Sequence, residues 1–326
     1  MGYFLKEKVD FKKHNEEARR LWDDYKEKKH NRVPVTIGGS IRNFFENPYL
    51  NTDGYTFYQF YNDFEIHIRC QLLFQKWWRE NILCDREMGA PERWQIGIDF
   101  QNNCEAGWFG CKIIYPDKFT PPDTEPIFRE NKYKLYEMKA PDPLKDNLMK
   151  KAMEFFDYIN GRCKNLEFEG RPVMGPATIP GEWTDGPFTV EKYRHFVFPF
   201  HKRIIDEFSD GSSVGIHLCG NAYHLFGFLK DNLNICSFDT GFPIDSKKVR
   251  EELGNDVEIM GGPNIVLLKN GTQQDISEEV KRICDSGIMT GKRFIMREGN
   301  NLAPMTPVEN IVSMYKAAKL YGRYNY

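Results

Sequence analysis

No stretch of this chain approaches the ~20 consecutive apolar residues that cross a bilayer. The N-terminal stretch MGYFLKEKVDFKKHNEE is charged and has no apolar h-region. Neither a membrane span nor a secretory leader is expected. Net charge is nearly absent too: 45 Lys and Arg against 47 Asp and Glu leave −2. That removes the electrostatic footprint of a nucleic-acid binder. No internal repeat or low-complexity linker breaks the sequence. The eight cysteines (70, 84, 104, 111, 163, 219, 236 and 284) lie scattered in apolar or helical contexts of a long chain. They read as the reduced thiols of a cytoplasmic protein rather than a disulfide framework. In that compartment the sequon Asn270-Gly-Thr272 is fortuitous.

What is present points to a soluble globular protein. The chain has 326 residues, 40% hydrophobic and 28% charged, enough for a sizeable core in one large domain. Aromatics reach 14% and gather before residue 230, in YTFYQFY, KWWREN, FFDY and HFVFPFH. Two uses are open: a core and oligomer interface rich in rings, which makes a homodimer an option, or the walls of a pocket for a flat apolar ligand.

After residue 170 short β-branched runs alternate with helical stretches. Residues 171–177 (RPVMGPA), 213–220 (SVGIHLCG), 235–241 (ICSFDTG), 257–264 (VEIMGGPN) and 293–300 (RFIMREGN) read as strands buried on both faces. DISEEVKRICDSG puts Ile276, Val280 and Ile283 on one helical stripe, with Gly287 as a stop. TPVENIVSMYKAAKLYG opens with Thr306, Pro307 and Glu309, the pattern of a capping box with proline at the first helical position. Earlier in the chain, 33–39 (VPVTIGG) and 94–100 (WQIGIDF) read as strands and 110–116 as a hairpin or insertion strand. A long helix is expected over about 58–81, and 1–30 form an N-terminal helical segment. Residues 116–146, with six prolines among charges, suggest a long surface excursion. This α/β alternation predicts a parallel sheet, closed most simply as a (β/α)8-type TIM barrel of one domain, 1–326. Seven barrel strands are legible; 177–213 has room for a helix but no clear strand, so the barrel is irregular between its third and fifth strands.

In such a barrel the polar residues just past the strands share one mouth: Glu182, His217, Cys219, Asp239, Asn264, Arg297, Glu298 and Asn300. His217 and Cys219 stand two apart on a strand and so face the same way. Zinc accepts imidazole and thiolate together, whereas magnesium and calcium avoid sulfur. Glu298 or Glu182 would complete a site with one position open, the form catalytic zinc takes. The bland alternative keeps His217 as a hydrogen-bonded histidine and Cys219 as a small hydrophobe.

HLCGN, the run CSFDTGFPIDSKKVREELGNDVEIMGGPNIVLLKNGTQQDISEEV and RFIMREGNNLAPMTPVENIVSMYKAAKLYGRY resemble the uroporphyrinogen decarboxylase superfamily. NRVPV, EAGWFGC at 105–111 and RPVMGPATIPG at 171–181 join the match, which is specific over 213–323 and poor over 120–165. The resemblance implies a (β/α)8-type barrel and either of two chemistries. One branch decarboxylates uroporphyrinogen without a cofactor. The other moves methyl groups to or from a corrinoid protein, with zinc held by an H-x-C motif and a later cysteine. His217 and Cys219 resemble the second. The first would need several arginines for eight carboxylates, yet the corresponding loop, IGGSIRNFF, offers only Arg42.

The chain departs from the second branch where the distal cysteine belongs: Asn300 stands there. A carboxylate from Glu298 or Glu182 then fills the place, leaving a harder and more electrophilic ion suited to polarising oxygen. That suits O-demethylation of a methoxylated aromatic. No D-x-H-x-x-G corrinoid signature occurs, so the corrinoid is expected on a partner protein. Asp239, Arg297 and Asn300 are the candidate catalytic or substrate-positioning residues. The rival readings are a metal-free decarboxylase, with a cleft of several cations, and a non-catalytic barrel that binds a corrinoid partner, with no perturbed titratable group at its mouth.

Overall fold

The computed structural model describes residues 2–178, 189–212, 214–218, 220 and 222–324. The chain packs as two compact units, one of Ile41–Glu80 and Gly89–Thr184, the other of Met1–Ser40, Asn81–Met88 and Asp185–Tyr326.

Among the described residues the first unit holds five short strands: β1 (Trp94–Gln95), β2 (Lys112–Ile114), β3 (Asp123–Glu125), β4 (Glu167–Phe168) and β5 (Arg171–Met174). β1 runs parallel to β5, with Trp94 opposite Val173, and Ile96 N–H donates to Met174 O beyond the assigned ends. β4 turns back onto β5 through Glu169 and Gly170, both left-handed (φ 48° and 68°). Two consecutive positive φ values are what a tight two-residue hairpin demands. β2 and β3 form an antiparallel hairpin, the first of the two readings of 110–116, a hairpin or an insertion strand. Two of the aromatic runs, YTFYQFY and FFDY, enter this unit's core through Phe57, Phe60, Tyr61 and Phe155, which with Phe44, Phe45, Trp94 and Phe100 are essentially solvent-free. Phe196 and Phe200 of the HFVFPFH run are exposed instead.

The single long helix expected over 58–81 is two helices, Phe57–Asn62 and Phe64–Asn81. Asp63 breaks it by adopting an extended backbone, and its Oδ1 accepts the N–H groups of Glu65 and Ile66. An aspartate inside a helical pattern is a ready N-cap, and here it starts a new helix.

His67 sits in this core, stacked on Phe60 at 4.2 Å. Its Nδ1 lies 2.9 Å from Phe60 O, and the Asp99 N–H donates to its Nε2 at 3.3 Å. Nε2 also lies 3.2 Å from Gly97 O, so each ring nitrogen has a backbone partner whichever one carries the hydrogen. Burial holds its pKa below the ordinary 6.5.

The second unit carries β6 (Val214–Leu218), β7 (Ile235–Thr240), β8 (Glu258–Gly261) and β9 (Phe294–Met296), all parallel and in that order. Helices Phe226–Leu233, Ser246–Leu253, Gln273–Asp285 and Val308–Tyr321 alternate with them, the crossover pattern that parallel strands require. Residues 33–39 join at the far edge through a parallel bridge from Val35 to Met296, not a full strand. The α/β alternation and the parallel pairing agree with the sequence reading. Among the described residues the ladders run β6-β7-β8-β9-Val35 in one unit and β4-β5-β1 in the other, and no single ladder closes into a ring. Residues 177–213 supply helices Val190–Phe196 and Phe198–Phe208; 179–188 lie outside the described residues. Helix Phe11–Lys26 accounts for the N-terminal helical segment.

Ile276, Val280 and Ile283 are buried as their spacing predicts, and Gly287 takes φ 92° after the helix. The capping box belongs to this helix, in Thr272 and Asp275. At the last helix Pro307 is the N-cap residue and makes no side-chain cap. Thr306 donates its hydroxyl to Ala303 O instead, so the box read from Thr306 to Glu309 does not form.

Asp85 fixes the entry of the 33–39 segment. Its carboxylate, 1% exposed, takes a bidentate pair from Arg32 (2.6 and 2.7 Å), the Val35 N–H (2.7 Å) and the Tyr315 hydroxyl (3.1 Å). Planar two-point pairing is the strong form of this contact. Asp85→Ala strands the Arg32 guanidinium in a nearly closed site. Its expected cost is about 3–5 kcal/mol of stability, read as a lower urea midpoint with an unchanged slope. The His67 pKa gives a second expectation. With the folded-state value depressed, the unfolded chain takes the proton first, so stability is full above pH 6.5 and falls as pH drops below it. Urea midpoints at pH 7.5 and 5.5 should differ more for the native protein than for His67→Gln.

Candidate functional site

The β6–β7 register sets His217 directly opposite Asp239. Neighbouring strands lie about 4.8 Å apart, so side chains on matched positions touch. His217 Nδ1 is 2.9 Å from Asp239 Oδ2. The same oxygen accepts from Arg297 Nη1. Arg297 Nε lies 3.2 Å from Glu298 Oε1, and the Gly38 N–H donates to that oxygen at 2.9 Å. Arg297 Nη2 also reaches Asn301 Oδ1 at 3.4 Å. The side chains grade from solvent inward: His217 is 41% exposed, Arg297 17%, Asp239 8% and Glu298 0%.

Four of the sequence-predicted residues, His217, Asp239, Arg297 and Glu298, are thus brought into one network. Asn264 instead caps helix Ile265–Asn270 by accepting the Val266 N–H. Asn300 Oδ1 accepts the Asn301 N–H in a turn. Cys219 and Glu182 lie outside the described residues. Glu298 and Asn300 were expected on one face of a strand through residue 300; β9 ends at Met296, so strand alternation does not relate them. The loop after it folds back through Arg297 N–H to Gly261 O and Gly299 N–H to Pro263 O.

Gly38 escaped the sequence reading. A Cβ there would lie 2.7 Å from Glu298 Oε1 and would also strike Arg297, so only glycine lets the backbone reach the acid. The signal was the GG that closes VPVTIGG.

Burial dominates the state of Glu298 and pushes its pKa up to about 8, against the opposing pull of Arg297. Two acceptors stay unsatisfied: Asp239 Oδ1 and Glu298 Oε2 are sealed from solvent with no hydrogen-bond partner. Each such atom costs about 1–3 kcal/mol relative to a paired one. A cation beside either oxygen would relieve it. The chemistry of the donors fits one: a ligating histidine commonly gives its other ring nitrogen to a carboxylate, and Asp239 engages Nδ1, which turns Nε2 away from Asp239. Among the described residues no three His, Cys, Asp or Glu side chains converge on a metal position, so His217 and Asp239 cannot by themselves make a centre. No described helix is long and apolar enough to cross a membrane.

The model of the uroporphyrinogen decarboxylase (URO-D) family matches residues 177–321. The resemblance read from the sequence, to that superfamily and to its methyltransferase branch, holds. The chain is 28% identical over 134 residues to methylcobamide:CoM methyltransferase MtbA of Methanosarcina acetivorans, covering 40% of this chain and 37% of that one. It is 29% identical over 133 residues to the methylated-thiol–coenzyme M methyltransferase of Methanosarcina mazei, covering 40% and 34%. The chain therefore spans little more than a third of these relatives' lengths. A solved methyltransferase from Methanosarcina mazei shares the fold, with TM-score 0.57 at 14% identity over 93% of this chain and 98% of that one.

Arg297 pairs with two buried carboxyl groups, Asp239 and Glu298. Arg297→Leu should lower stability by about 3–5 kcal/mol in urea unfolding. Adding Glu298→Gln should recover part of that loss, because an amide replaces one stranded acid.

Proposed function

We propose that this protein is a zinc-dependent methyltransferase built on a (β/α)8-type barrel, and that it passes a methyl group from a small methylated donor to a corrinoid carried by a partner protein. The observation that carries the reading is His217 at a strand end with its Nδ1 held by Asp239, two residues before Cys219. The curated relatives, methyltransferases named for methylcobamide and methylated thiols, support it.

His217, through Nε2, and Cys219 would hold the ion, with Glu298 or Glu182 as the oxygen donor. Zinc, when bound, polarises the heteroatom that carries the methyl group and so weakens its bond to carbon. The chain's own residues prepare that event. Asp239 fixes the imidazole's orientation and raises its donor strength. Arg297 holds Asp239 and Glu298 in place. Glu298, kept largely protonated near neutrality by burial, would release its proton on meeting a cation. Asn300, where a thiolate would soften the ion, favours an oxygen-bound methyl group, hence O-demethylation of a methoxylated aromatic.

Two observations weigh against the rivals. A decarboxylase of polycarboxylated substrate needs several unengaged cations, whereas Arg297 already serves two carboxyl groups. A purely binding barrel gives no reason to keep Glu298 buried with its pKa raised.

Elemental analysis of the purified protein should find about one zinc per chain. His217→Ala and Cys219→Ser should lose it, and Asp239→Asn should weaken zinc binding by about 10–100-fold. With a corrinoid protein and a panel of methoxylated aromatics, methylamines and methylated thiols, corrinoid methylation should follow zinc content and be fastest with an aromatic ether. Full activity in metal-free protein would refute the reading.

A further inference from the structure

The run HFVFPFH contributes no buried residue. It falls at the junction of helices Val190–Phe196 and Phe198–Phe208, and Val197 joins them within the right-handed helical region (φ −114°, ψ −48°). The second helix buries none of its eleven residues, yet two of its sides are apolar. One side rests on its own unit. The Phe198 ring stands 5.2 Å from that of Phe228, and His201 Nδ1 lies 2.7 Å from the Tyr193 hydroxyl.

The other side points to solvent. Phe196, Phe200, Ile204 and Phe208 recur every four residues and so form one row along the helix. Phe196, Phe200 and Phe208 are 60%, 59% and 80% exposed, and Ile204 is half-buried. Rows of this spacing are the ridges with which helices pack against one another. A contiguous exposed apolar row marks an interaction surface.

The charges beside the row select what covers it. Lys202 and Asp206, on the far side of the helix, already pair at 2.9 Å. Arg203 and Glu207 border the row, and neither has an ion-pair partner among the described residues. Their order is unfavourable within a single helix. The macrodipole favours acids in the first turn and bases in the last, and this helix has neither. A base four residues ahead of an acid is also the weaker direction for an intrahelical pair. A helix whose bases precede its acids is complementary to its own reversed copy.

We propose that this row is the contact between two copies of the chain, set antiparallel about a two-fold axis near Ile204. Phe200 of each copy then meets Phe208 of the other, and Arg203 of each reaches Glu207 of the other. A two-fold contact repeats every pairing. It also brings each acidic half beside the positive end of the opposite helix. A parallel arrangement would set like charges together. One helix on each side is a small contact, of the weak class, so monomer and dimer exchange in the micromolar range. The row contains none of the residues assigned to zinc or methyl transfer, so its test is independent of that reading.

Sedimentation velocity of the full chain across the micromolar range tests this. The native protein should shift from monomer to dimer as concentration rises. Ile204→Glu should stay monomeric throughout, and Phe200→Ser should do so if Ile204→Glu misfolds; an unchanged far-UV circular dichroism spectrum certifies each fold. Arg203→Glu and Glu207→Arg should each raise the dissociation constant about 5–30-fold, since each places two like-charge pairs in the contact. The double variant Arg203→Glu/Glu207→Arg restores opposite charges and should dimerise like the native chain. A native protein that is monomeric at every concentration, a dimer indifferent to both Ile204→Glu and Phe200→Ser, or a double variant no tighter than its parents would overturn the proposal.

Discussion

One oxygen organises the charged end of the second unit. Asp239 Oδ2 serves the His217 imidazole and the Arg297 guanidinium at once, and this sharing depends on strand register. His217 faces Asp239 because β6 and β7 pair residue for residue from Gly215 onward, past a shift between Val214 and Gly215. A slip of one residue would turn Asp239 to the opposite face and leave Arg297 with Glu298 alone. The register is in turn protected by what packs behind it: Phe238 and Ile259 are buried on the adjoining positions, so a slip would also expose apolar surface.

The network is underpaired by design of its residues. One guanidinium faces two carboxyl groups, and each keeps one sealed oxygen without a donor. Folded proteins pair nearly all buried polar atoms, and two other charged groups of this unit do so: Asp85 satisfies both of its oxygens, and Arg250 spreads its guanidinium over four backbone carbonyls. Arg250 and Asp85 make the frame rigid with every polar atom used. Asp239 and Glu298 hold unspent acceptor capacity at the place where strand ends meet solvent.

Much of this was legible in the residues, and the losses have physical causes. The parallel strands at 213–220, 235–241, 257–264 and 293–300 announce themselves because strands buried on both faces are continuously apolar. The Ile276–Val280–Ile283 stripe did the same for its helix. Boundaries were lost where one polar side chain overrides a pattern: Asp63 captures two N–H groups and splits a helix, and Thr306 finds Ala303 O rather than a cap. The site was read at the level of which strand ends carry chemistry, and His217, Asp239, Arg297 and Glu298 do meet. What residue spacing could not convey was how they meet. Strand alternation stops at Met296, so the relation of Glu298 to its neighbours is set by a loop and by a glycine from the chain's other end.

The same economy governs the first unit, which argues that it is a property of how this chain uses its strand ends. Its core is sealed by rings, and even the buried His67 finds partners for both nitrogens. In the connection after β1 a buried acceptor and a buried donor on one short helix, Glu105 Oε1 and Trp108 Nε1, have no hydrogen-bond partner among the described residues. Core positions can relax toward satisfied geometry by small shifts of side chains. At Glu105 and Trp108 the backbone is held on both sides, at Gln101 in the left-handed region and at the helix end by Asn147, and each unpaired atom there costs about 1–3 kcal/mol relative to a paired one.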